Sequence, residues 1–207
     1  MNRRILPWVG WVALVAHTVH VPATPLTGCE IKAGYLLNFV EFVEWPSGAF
    51  ADHKSPVVVG VMGQDPFGAE LDKLQGKVIK SRKLQIRRFK GALEFRGEET
   101  PGRRQDNLAR KQARKLAELK SCHILFISPS ERNHLPMILK SLKGASVLTV
   151  SETEAFMREG GIINFLNDGD RPIEINPDAA DRARLKISSK LLSLARIVKI
   201  AGSNGKR

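Results

Sequence analysis

Cysteine is nearly absent: Cys29 and Cys122 are the two in 207 residues. So few thiols exclude a cysteine-stapled scaffold and a four-cysteine zinc site. The histidines form no His-Glu-x-x-His pair, so a metal centre lacks its spacing signature. A Gly-x-Ser-x-Gly elbow, a Walker loop and a Gly-x-Gly-x-x-Gly fingerprint are also missing, which removes the common hydrolase, phosphate-loop and dinucleotide readings. Paired acids such as Glu152 with Glu154, or Glu98 with Glu99, fall in exposed, loop-like contexts that do not suit general acid–base work. These absences point away from an enzyme, with no catalytic residue, no metal and no cofactor expected.

Acids are in the minority. Lys and Arg number 33 against 21 Asp and Glu, giving a net charge of +12 and a pI near 10.0. Such a balance suits nucleic acid, an anionic membrane surface or an acidic partner. Long apolar runs are missing too. Ile5 to Ala16 is broken by Pro7 and Gly10 and is too short to span a bilayer.

The N-terminal order of features has its own logic. Arg3 and Arg4 precede that apolar run, and the small-residue site Val21-Pro22-Ala23 follows it. This predicts an export signal over residues 1–23, removed before Thr24. "LTGC" has the shape of a lipobox, which would extend a lipoprotein signal to residue 28 and lipidate Cys29. Pro22, Pro25 and two histidines separate it from the apolar core, so cleavage after Ala23 is preferred. Cys29 and Cys122 are then a candidate disulfide, or plain thiols, in an oxidising compartment. Export excludes cytosolic nucleic acid as the partner.

Hydrophobic patterning organises the rest. After Cys29 an apolar segment leaves Asn38, Glu41 and Glu44 every third residue on one wet stripe, which predicts a core helix stopped by Pro46. "PVVVGVMG", "CHILFIS" and "SVLTVSE" are β-branched or apolar runs expected as strands covered on both faces, with "LQIRRF" a weaker strand. His123, inside the second run, reads as a satisfied core residue. Helices are expected from Asp65-Pro66 to Gly76, from about Asp106 to Lys120, from Ser130 or Glu131 to Lys143, and over "TEAFMREGG". Thr100 to Arg104 read as a loop. "IINFLNDGDRPIEIN" predicts a hairpin turning at residues 167–170, and "NPDAADRARL" and "SSKLLSLARIVKI" predict two last helices. The fold class is therefore α/β: one domain over residues 29–201 with a mostly parallel sheet covered by helices on both faces. It carries an antiparallel edge hairpin, and a frayed tail over 202–207 follows.

Two features bear on binding. Lys77, Lys80, Arg82, Lys83, Arg87, Arg88 and Lys90 run without an acid, and Arg103, Arg104, Arg110, Lys111, Arg114, Lys115 and Lys120 form a second basic cluster. Both are either solvated faces or surfaces for anionic headgroups or an acidic partner. Few aromatics interleave with them, which disfavours single-stranded nucleic acid. "GVMGQDPFG" links a strand to a helix, and Gly63, Asp65 and Gly68 mark it as a candidate ligand turn beside its plainer reading as a βα connection.

Taken in order, "FVEFVEWP", "GVMGQDPFG", "CHILFISPSE", "VLTVSE", "GGIINF" and "EINPDAADRARLKISSKLLSLA" resemble the YfiR-like family of bacterial periplasmic proteins. The likeness runs from about Glu30 to Ile200. It implies a non-catalytic periplasmic regulator that represses a membrane-bound diguanylate cyclase by binding its periplasmic sensor region. Release of such a repressor raises cyclic di-GMP and favours biofilm growth. The resemblance also implies a homodimer, proximity to the membrane, and cysteine bridges tied to redox control. Here only Cys122 falls at a familiar cysteine position. Gly160 to Phe165 and Leu185 to Leu192 are the family's most recognisable stretches, so Gly160, Gly161, Asn164, Lys186, Ser188 and Ser189 are candidates for the partner surface. The same glycines also read as helix terminators, and Ser188 or Ser189 as a cap. The alternative is a periplasmic small-molecule-binding module that serves another receptor or transporter.

Overall fold

A computed structural model describes residues 28–92, 105–166 and 171–199. The predicted export signal, the predicted loop Thr100 to Arg104, the predicted hairpin turn at 167–170 and the predicted tail over 202–207 lie outside the described residues.

The chain opens with helix α1, Gly28–Phe42, which buries Ala33, Leu36, Phe39 and Val40 and leaves Asn38 and Glu41 exposed, as the three-residue stripe predicts. It ends before Pro46. Val43–Glu44 form strand β1, which pairs antiparallel with strand β9, Lys186–Ile187, so tertiary pairing stops the helix sooner than the proline would. Strand β2 is Val57–Met62, helix α2 Ala69–Asp72, strand β3 Val78–Ile79 and strand β4 Arg82–Phe89. Helix α3, Gln105–Lys120, is the expected basic helix. Strand β5, Ile124–Ile127, leads through a 3-10 segment, Pro129–His134, into helix α4, Leu135–Ser141. Strands β6 (Leu148–Ser151), β7 (Ile163–Phe165) and β8 (Ile173–Ile175) precede helix α5 (Pro177–Arg182), β9, helix α6 (Ser189–Ser193) and strand β10 (Arg196–Ile197).

Eight strands make one sheet in the order β10-β8-β7-β6-β5-β2-β4-β3. Neighbours from β4 to β7 are parallel, and the β7–β8 hairpin is antiparallel. β10 adds outside β8 and parallel to it, and β3 closes the other edge antiparallel to β4. Every residue of β2, β5, β6, β7 and β8 is buried, the pattern of a sheet covered on both sides. On one side Val59, Val61, Phe126 and Val150 meet α1, α2, α5 and α6. On the other, Met62, Leu125 and Ile127 meet Leu119 of α3 and Leu135 and Ile138 of α4. Phe67 packs edge-on to Phe126 with centroids 4.8 Å apart, and Phe39 stacks on Phe165 at 6.0 Å. Burying such a ring contributes about 2–3 kcal/mol by area alone.

Four expected helices are shorter or different. The Asp65 carboxylate accepts N–H bonds from Phe67 and Gly68, and this side-chain turn delays α2 until Ala69. Ser128 caps a 3-10 segment that precedes α4, because its Oγ accepts from the Ser130 N–H, and the helix proper starts at Leu135 and not at Ser130 or Glu131. Residues 154–160 are successive turns and not a helix. The final predicted helix stops at Ser193, since the Val198 N–H bonds Ile175 O beside the β10–β8 pairing.

Candidate functional site

Three loops diverge at the carboxyl end of the sheet. β2 lies between β4 and β5, so the chain first steps to one side of β2 and then crosses back to the other. Open α/β sheets hold ligands in the crevice at such a reversal, where consecutive loops part. A cleft of about 570 Å³ occupies this place, lined by Gln64, Asp65 and Pro66 after β2, by Ser128, Pro129, Ser130, Arg132 and Asn133 after β5, and by Glu152 after β6.

Its walls are fixed from several directions. Gly63 has φ +87°, and a Cβ there would sit 2.4 Å from Ser130 Oγ, so glycine is needed for the β2 and β5 loops to touch. The Gln64 N–H donates to Ser130 Oγ at 3.0 Å across that contact. Beneath it Glu131 is 7% exposed, and its Oε2 accepts the Ala92 N–H at 2.8 Å, which ties the end of β4 to the same loop. The Asp65 Oδ2 accepts from Arg88 Nε at 2.7 Å, and Arg88 also pairs with Asp72. Glu152 pairs with Lys32, which joins the β6 loop to α1.

The cleft's two carboxylates are thus already held by cations. The Ser130 hydroxyl, the Gln64 and Asn133 amides and the exposed Arg132 guanidinium remain beside them, a set that can hydrogen-bond a small polar molecule. No pair of these residues is arranged as nucleophile and base. Of the predicted ligand turn, Asp65 lines the cleft, Gly63 shapes it from below, and Gly68, at φ +51°, begins α2. The other lining residues, Ser128, Ser130, Arg132, Asn133 and Glu152, carry no ligand signature in the sequence, and only the strand order reveals which loops converge.

The predicted partner residues divide into two groups. Gly161 and Asn164 are buried, and a Cβ on Gly161 would lie 2.2 Å from the Phe156 ring. Asn164 Nδ2 donates to Glu174 Oε1 at 3.1 Å, and Arg196 Nη2 donates to the other oxygen at 2.6 Å, a polar ladder across β7, β8 and β10. Gly160, at φ +92°, ends the preceding turns. Ser188 caps α6 by accepting the Leu191 N–H. Lys186 and Ser189 are exposed.

The exposed pair belongs to a patch that joins two distant stretches. The Ser188 N–H donates to Phe42 O at 2.9 Å, Glu44 stands opposite Lys186 in the β1–β9 pairing, and Lys190 Nζ lies 5.1 Å over the Phe42 ring. "FVEFVEWP" and "LKISSKLL" thereby form one surface, with Glu41, Glu44, Lys186, Ser189 and Lys190 outward.

The opposite end of the sheet is held together by ring stacking and hydrogen bonds, beside a smaller pocket of about 300 Å³ lined by Ala49, Cys122, His123 and Arg184 among others. The Val58 N–H donates to His123 Nδ1 at 3.0 Å, so Nε2 carries the proton toward Ala49 O at 3.1 Å. The Phe50 ring stacks on the imidazole at 4.2 Å, and the Arg82 guanidinium covers the far face of Phe50 at 3.9 Å. Trp45 is half-buried and donates its Nε1–H to His123 O at 3.2 Å. Burial pulls His123 down to about 4, and the Arg82 and Arg87 charges act the same way. Burial pushes the Cys122 thiol up to about 12 against the pull of Arg87, which keeps it protonated and unreactive. Both cysteines are free thiols. Cys122 Sγ faces Gly60, Leu125 and Phe89 on the side of the sheet covered by α3, whereas Cys29 begins α1 on the other side.

Among the described residues no three His, Cys, Asp or Glu gather as a metal site, and no helix is long and apolar enough to cross a membrane. No curated protein matches the chain. Its fold is similar to a crystal structure of a conserved domain protein from Vibrio cholerae O1 biovar eltor, with TM-score 0.51 and 12% identity over 84% of this chain. The alignment spans 61% of that protein's length. A model of the YfiR/HmsC-like family matches residues 29–196, and the chain therefore belongs to the YfiR/HmsC-like family of periplasmic regulatory proteins.

Proposed function

We propose that this chain, exported through its N-terminal signal, represses a membrane-bound diguanylate cyclase by binding that enzyme's periplasmic sensor region. It acts as a homodimer, by contact and without catalysis, and its release raises cyclic di-GMP and favours biofilm growth. The family match over residues 29–196 carries this reading. The patch of Glu41, Glu44, Lys186, Ser189 and Lys190 supports it, since two stretches typical of the family meet there on the outside of the molecule. Deleting the gene should raise cellular cyclic di-GMP, and Lys186→Glu with Ser189→Arg should reproduce part of that rise while the protein melts as wild type. Unchanged cyclic di-GMP on deletion sinks the reading. Light scattering of the purified chain tests the dimer.

One observation favours a second reading. The cleft at the sheet reversal is polar, open and built from three loops, as expected of a periplasmic module that binds a small molecule for another receptor or transporter. A molecule retained through purification and lost on Arg132→Gln would favour it.

A further inference from the structure

The second helical layer carries a charge excess that neither reading uses. α3 buries Leu119 and half-buries Gln112, Lys115 and Leu116 toward the sheet, and turns the other way Arg110, Lys111, Arg114 and Lys120, all exposed. Ala113 and Ala117 separate these cations and leave the helix surface open to close approach. Glu118 pairs with Arg114 at 3.1 Å, yet the arginine side chain stays 83% exposed. The layer continues onto the sheet. Arg87 Nη1 donates to Ser121 Oγ at 3.0 Å, so the row of β4 that contains Arg87 and Lys83 lies at the C-terminal end of α3. Opposite Lys83 stands Val78 on edge strand β3, 64% exposed.

We propose that α3 and the adjoining row of β4 form a docking face for an anionic phospholipid bilayer, with Val78 as an apolar contact at its rim. Long cations on a convex helix suit a flat, fluid surface whose headgroups rearrange to meet them. A folded acidic partner would need a fixed concave match to the same helix. Each Lys or Arg near an anionic leaflet strengthens adsorption by roughly fivefold, so four exposed cations on one helix suffice for reversible binding at low salt. The apolar rim adds a contact that salt does not screen.

The test is co-sedimentation of the full mature chain with vesicles of phosphatidylcholine containing about a third phosphatidylglycerol. Binding is expected to these vesicles and not to pure phosphatidylcholine. It should fall steeply as salt rises from about 0.1 to about 1 M, where the Debye length shortens from roughly 10 to roughly 3 Å. Reversing Arg110, Lys111 and Arg114 to Glu should lower the partition at least about a hundredfold. Reversing Lys54, Lys73 and Arg182, exposed cations elsewhere, changes net charge equally and should cost far less. Equal losses from both triple variants would mean that total charge alone drives adsorption, and would overturn the proposal. So would retention on immobilised polyglutamate without any vesicle binding, which would give the face to an acidic protein. Vesicles contain no cyclase, so failure here leaves the repressor reading standing.

Discussion

The two ends of the sheet solve opposite problems. At the amino end, Trp45, Phe50, His123 and Arg82 stack or hydrogen-bond to one another, and both imidazole nitrogens are used within the protein. At the carboxyl end, cations hold Asp65 and Glu152 at the walls and leave hydroxyl, amide and guanidinium groups around an open cleft. The amino end keeps only a smaller pocket of about 300 Å³ beside its stacked rings and contributes chiefly stability, whereas the larger cleft contributes a place for contact with other molecules. Lesions at the first should therefore read out as melting, and lesions at the cleft lining as changed binding.

The largest expected effect is at the amino end. Trp45→Ala removes a ring packed on His123 and the donor to its carbonyl, and should cost about 3 kcal/mol by denaturant melts. Wild-type melting would break the comparison at once. The imidazole makes the same end sensitive to acid. His123 titrates near 4 when folded and near 6.5 when unfolded, so the unfolded chain binds the extra proton between those values. Stability should be unaffected by this group above pH 6.5, decline as pH falls from about 6.5 to about 4 by up to about 3 kcal/mol, and lose no more from it below. A His123→Asn variant, less stable throughout, should show a flatter slope over that window; an unchanged slope would contradict the buried neutral ring.

Gly63→Ala sharpens the contrast, because it tests a place where the carboxyl end is tightly packed. Positive φ and a 2.4 Å approach to Ser130 Oγ predict a loss of about 2 kcal/mol, visible in Tm. Glu152→Gln should have the smallest effect, about 0.5–1 kcal/mol, because its bridge to Lys32 is partly solvated. A loss above about 2 kcal/mol there would make the cleft wall as structural as the amino end.

The sequence was most informative where burial dominates. Short apolar runs such as "PVVVGVM" and "CHILFI" read as strands covered on both faces through their length, their β-branched residues and the Pro and Gly that bound the first, and His123 inside the second is a satisfied core residue. It was least informative where a partner segment competes with local preference. Val43 and Arg196 left helical patterns because β9 and β8 offered them ladder bonds, and Asp65 spent its carboxylate on a turn. Asn164 was a candidate for the partner surface because it lies in one of the family's recognisable stretches, yet it is buried and its Nδ2 donates to Glu174 within the sheet. The cleft was half legible: its first loop stood out through Gly63 and Asp65, but its second and third did not.

Apolar periodicity, caps and turn residues by themselves determined the α/β class, the basic helix and the buried strands, since each depends on contacts within a few residues or on simple exclusion of water. Which loops meet at the cleft, which two stretches share the Phe42 patch and where Cys122 points depend on strand order. That order is set by the packing of residues far apart in the chain, and no local pattern encodes it.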